Sequence, residues 1–123
     1  MPKTDLKCAD LVQGQYEKEL AKVHRLVEVH PKGTEELGHL STYALSFDYV
    51  EAGTFSDCDE SFYRWQLSYG GPQDEFRFFV DESKKLERVE YWYLDWHDGA
   101  FVPCTDEVIT GWLWEWLSNS LPE

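Results

Sequence analysis

"RVEYWYLDWHDGAF", residues 88–101, holds five Phe, Tyr and Trp rings, three carboxylates and a histidine in fourteen positions. Val89, Tyr91 and Tyr93 alternate with Glu90, Trp92, Leu94 and Trp96, and a two-residue repeat is that of a strand. Rings fall on both sets. A strand with one wet face would carry polar side chains on one of them, so this one is expected in the middle of a sheet, with a helix over one face and a partly wetted cover over the other. "HDG" at 97–99 then reads as a hairpin turn in which Asp-Gly supplies positive φ.

Working back towards the N-terminus, "EFRFFVD" (75–81) is a strand with Phe76, Phe78 and Val80 in register, reached through the turn residues "GGPQD" (70–74). "FYRWQLSY" (62–69) sets Tyr63, Trp65, Leu67 and Tyr69 on one side and Arg64, Gln66 and Ser68 on the other. Before it come a polar, acidic loop, "AGTFSDCDES" (52–61), and a first strand, "TYALSFDYVE" (42–51), with Tyr43, Leu45, Phe47 and Tyr49 on its buried face. Downstream, "AFVPC" (100–104) leaves room for a short edge strand that Pro103 ends.

The flanks change period. From residue 4 to 29, Leu6, Ala9, Leu11, Val12, Tyr16, Leu20, Val23, Leu26 and Val27 recur at three- and four-residue steps, the pattern of an amphipathic helix. Gly14 is a candidate break and "HPKG" (30–33) a stop. At the other end Thr105 or Asp106 can cap a helix to about residue 119, with Val108, Ile109, Trp112, Leu113, Trp116 and Leu117 on its apolar face and Trp114 off it. The expected architecture is α+β, a single domain over 1–123: helix, four-stranded antiparallel meander, helix.

The chain of 123 residues is 42 % hydrophobic and carries a formal net charge of -13. Residues 1–40 hold seven acids and six bases, whereas residues 41–123 hold seventeen acids and five bases, a balance of -1 against -12. Such a field disfavours direct contact with nucleic acid or an anionic membrane and favours a basic protein surface. No apolar run approaches the ~18 residues of a membrane span and the N-terminus lacks a secretory pattern, so a cytoplasmic location is expected. Cys8, Cys58 and Cys104 are widely spaced and odd in number, which suits reduced thiols better than disulfides or zinc.

Few residues have the spacing that chemistry demands. His24, His30, His39 and His97 lack the i, i+4 pairing of a helical metal site, and no cofactor or metal is expected. Asp95, His97 and Asp98 could form an acid–base group, because a carboxylate beside imidazole raises its pKa into a working range. A turn is the plainer reading of the same residues. The chain lacks G-x-S-x-G, and "YGGP" lacks the Lys-Ser/Thr of a phosphate loop. The acids remain. Asp57, Asp59, Glu60, Asp74, Glu75, Glu90, Asp95 and Asp98 are expected on rims and loops, where crowded like charges cost stability unless something uses them. Trp114, with Trp92 or Trp96, is expected to be exposed among them as an anchor, since tryptophan inside a polar rim is the composition of a binding hot spot. Plain solubility is the alternative use of so much charge.

The runs "YALSFDYVEAGTF", "FYRWQLSYGGPQDEFRFFVD" and "RVEYWYLDWHDGA", spanning about 42–100, resemble a family of small acidic proteins carried by plasmids, integrative elements and phages. The resemblance implies no activity, cofactor or catalytic residue. In size and charge the chain is also similar to the anti-restriction and anti-CRISPR proteins that such elements encode. The expected function is a non-enzymatic inhibitor or nucleic-acid mimic that docks on a basic groove of a nucleic-acid-processing protein. An immunity or antitoxin-like partner of a basic toxin and a small enzyme using Asp95, His97 and Asp98 are the alternatives.

Overall fold

The computed structural model describes residues 7–56, 58–70, 72–95 and 98–121. Helix α1 (Cys8–Val29) buries Val12, Tyr16, Val23 and Leu26, which helical spacing brings to one side. It runs unbroken through Gly14, because the inward stripe on both sides of that residue fixes the helix whatever its local propensity. A one-turn helix, α2 (Leu40–Tyr43), follows. Five strands come next: β1 (Ser46–Val50), β2 (Phe62–Ser68), β3 (Gln73–Val80), β4 (Leu86–Asp95) and β5 (Asp98–Pro103). Helix α3 (Glu107–Ser118) completes the chain, with the Asp106 carboxylate accepting the Ile109 N–H at its start.

The strands pair antiparallel in the order β1-β2-β3-β4-β5, a meander with one strand more than the four expected. β5 pairs with β4 from Asp98 to Pro103. Asp98 and Gly99 therefore belong to a strand rather than a turn, and His97, the other residue of that expected turn, lies outside the described residues. Gly99 does not take positive φ. A Cβ there would lie 2.6 Å from Leu94 Cδ2, so close packing rather than turn geometry favours glycine.

Helices α1 and α3 cover one face of the sheet. Trp65, Phe76, Tyr91 and Val102 form a row across β2 to β5 and belong, with Phe78 and Val89, to the core closed by α1 and α3. Each fully buried side chain of this size contributes about 1.5–3 kcal/mol. Trp114, expected off the apolar face, is only 7 % exposed: it stacks on Phe78, packs against Tyr63 and Phe47, and donates its indole N–H to the Lys84 carbonyl. Val108 is 84 % exposed instead, and Trp112 and Trp116 are half-buried edge-on to His30. The helix is rotated by about one residue from the expected face, because the open side of the sheet beside Phe47 takes a large ring.

The first strand is also shorter than its alternating pattern suggests. Leu40 is buried and the Tyr43 hydroxyl donates to Glu19 of α1, so residues 40–43 turn as a helix to reach α1, and Leu45 is left exposed. Among the described residues the opposite face of the sheet carries no helix. There Val50, Phe62 and Phe79 form a small cluster against Phe55, a ring supplied by the 52–61 loop.

Candidate functional site

The helix-free face is built on a polar row. Asp48, Arg64, Arg77 and Glu90 lie side by side across β1 to β4. Arg64 donates to both Asp48 oxygens, at 3.2 and 2.9 Å. Arg77 is fully buried: its Nε donates to Glu75 at 2.7 Å, and its guanidinium lies 3.9 Å from the Trp92 ring centre and 4.5 Å from that of Phe62. Arg88 holds Glu60 at 2.7 Å and Glu90 at 3.1 Å while covering the Phe79 ring. Trp92 donates its indole N–H to Glu90 and stacks on Phe101 at 4.7 Å. Burial pushes the Glu75 carboxyl above its ordinary range, and the Arg77 guanidinium holds it back.

Asp74 is buried on the helix-covered face. It accepts the Tyr91 hydroxyl at 2.6 Å and the hydroxyl of Ser68, whose oxygen accepts the Asp74 N–H. Close by, Glu19 accepts the Tyr43 hydroxyl at 2.5 Å. Burial raises the Glu19 carboxyl, and the neighbouring Asp74 charge adds to the rise. Among the described residues every buried side-chain polar atom has a hydrogen-bond partner.

Three of the expected surface acids, Asp74, Glu75 and Glu90, are therefore buried, and so are the expected anchors Trp92 and Trp114. The physical reason is pairing: two-sided burial is tolerable for these carboxylates because arginine, tyrosine, serine or indole groups meet each of them. Asp59 and Glu60 are exposed on the loop, as expected. Asp95 is half-buried at the end of β4. Asp57, Trp96 and His97 lie outside the described residues. Asp98 accepts the Cys8 N–H at 2.7 Å, which satisfies the first turn of α1 and holds the Asp98 carboxyl below its ordinary range.

Three arrangements carried little or no signal in the sequence. His24 Nε2 lies 2.8 Å from Asp106 Oδ2, a pair 82 residues apart. The Glu19–Tyr43 and Asp74–Tyr91 pairs also join distant segments. Phe55, by contrast, was visible as the one ring in a polar loop. Among the described residues no group of three or more His, Cys, Asp and Glu could hold a metal ion, and no helix is long and apolar enough to cross a membrane. The three cysteines are free.

The surviving surface charge is uneven. All three arginines of residues 41–123 are engaged with carboxylates on the helix-free face, which leaves only Lys84 and Lys85 as further bases in that part. Glu51, Asp59, Glu82, Glu87, Glu107 and Glu115 are exposed there and make no ion pair among the described residues. Comparison of the chain with family models, with curated proteins and with solved structures found no match.

Proposed function

We propose that this protein works by binding rather than by catalysis, offering its surface carboxylates to the basic groove of a nucleic-acid-processing protein, in the manner of an anti-restriction or anti-CRISPR inhibitor. The observation that carries this reading is the use of the arginines. Arg64, Arg77 and Arg88 are all taken up by carboxylates of the chain's own helix-free face, so Glu51, Asp59, Glu82, Glu87, Glu107 and Glu115 stay exposed without an ion pair among the described residues. A surface of one sign attracts the opposite sign over about 8 Å at physiological ionic strength and speeds encounter. Duplex DNA carries one charge per ~1.7 Å of axis, so a groove made for it suits a dense carboxylate field.

The test is capture of a partner at low salt from the natural host, followed by competition. A basic, nucleic-acid-binding partner that duplex DNA or RNA displaces is the expected result. A basic toxin that nucleic acid does not displace would assign the same surface to an immunity protein. A partner without a basic surface would contradict both.

A further inference from the structure

We propose that β1 is a docking edge, which takes an extended basic segment of the partner as a sixth strand. The inference rests on the binding function proposed above and names where and how the partner engages. Among the described residues β1 pairs on one side only, with β2, so its other side presents unpaired backbone N–H and C=O groups. Proteins usually blunt such an edge with lysine, proline or a bulge. β5, the other edge, ends in Pro103. β1 reads Ser-Phe-Asp-Tyr-Val, and its register with β2 is unbroken. It has no lysine, proline or bulge, and Asp48 is the one charge it carries.

Side chains on this edge specify what fits. Leu45 is 63 % exposed and Tyr49 52 % exposed on the helix-covered side, beside a groove of about 340 Å³ lined by Leu45, Phe47, Trp65, Trp116 and Leu117. That side asks for apolar residues. On the other side Asp48 stands at the open end of the row it shares with Arg64, Arg77 and Glu90, with 43 % of its side chain exposed. Arg64 holds this carboxylate from within the sheet, so the preference for a cation opposite β1 comes from the outward part of Asp48, from Glu51, which follows the strand exposed and without an ion pair among the described residues, and from the net charge of -13. A second copy paired about the centre of β1 would set Asp48 against Asp48 and join two chains of charge -13. The fitting occupant is therefore a foreign strand that alternates apolar and basic residues.

The test uses the whole protein and three synthetic seven-residue peptides: alternating lysine and valine, alternating glutamate and valine, and the lysine peptide N-methylated at every residue. Binding is followed by amide NMR with hydrogen exchange. The lysine peptide should protect the β1 amides that face away from β2. The glutamate peptide should bind about tenfold more weakly or worse, and Asp48→Lys should reverse that order. The N-methylated peptide keeps the charge but cannot pair, and it should lose the protection even if Asp48→Lys proves poorly folded. Lysine-peptide binding that leaves β1 amides unchanged would overturn the docking edge while leaving the acidic-surface reading intact. Absence of lysine-peptide binding, equal binding of the N-methylated form, or a dimer formed through β1 would also overturn it.

Discussion

Glu19 and Arg77 show how single ionisable side chains shape this fold. The folded state raises the Glu19 carboxyl above its ordinary value of 4.5, so folding favours the protonated form. Its contribution to stability is therefore best at low pH and is lost as pH rises through the folded pKa. Glu19→Gln keeps an acceptor for the Tyr43 hydroxyl and removes the charge beside Asp74. It should raise the melting temperature at pH 7, and the gain should vanish below about pH 4, where Glu19 is itself protonated. A melting temperature at pH 7 that is unchanged or lower would show that the carboxylate is wanted in ionised form. Arg77→Met leaves Glu75 as a buried charge without its guanidinium and should cost about 3–5 kcal/mol in chemical denaturation. The thiols give a third check. Burial pushes Cys8 up to about 11 and Cys104 up to about 12, so a thiol reagent at pH 8 should label Cys58 first and the other two only as the protein opens.

At the scale of elements, α1 offers a direct test of continuity. Gly14 is exposed in mid-helix, and a Cβ built there meets nothing within 4 Å. Gly14→Ala should stabilise by roughly 1 kcal/mol, seen as a rise of about 3–5 °C in melting temperature. A loss of stability would mean that the helix bends there. The sheet was legible wherever rings alternated over a long run, as in β3 and β4, because period two has no helical equivalent at that length. It was less legible at its edges. The first strand gave up Tyr43 to α2 because contacts with α1 outweighed the local pattern, and β5 is short, with Ala100 and Val102 as the apolar side chains it turns towards the helices. The face of α3 was misplaced by about one residue because Val108, Trp112 and Trp116 compete with Trp114 for the core, and only the shape of the sheet beside Phe47 and Tyr63 decides between them. The binding surface was half legible. Charge counts located the acid excess but did not tell buried carboxylates such as Asp74, Glu75 and Glu90 from free ones: Asp74 meets Tyr91 only across strands, and although Arg77 and Trp92 stand two residues along the same strand from Glu75 and Glu90, alternation alone does not say that their face is covered.

For the whole molecule, the central matter is whether the exposed acids are there to be bound. Asp74 and Glu75 are unsuitable for asking it, because charge reversal at a buried site would unfold the domain. Glu51 and Asp59 are exposed, outside the ion pairs of the helix-free face, and free to be reversed together. The decisive measurement is the association and dissociation rate of the captured partner with wild type and with the Glu51→Lys, Asp59→Lys double variant, across a salt series. If carboxylates steer the encounter, affinity should fall about tenfold or more between roughly 50 and 300 mM salt, the variant should lose mainly association rate, and its melting temperature should hold or rise as self-repulsion eases. Binding that is indifferent to salt, with association as fast in the double variant as in wild type, would contradict the acidic-surface function and leave the charge as an aid to solubility.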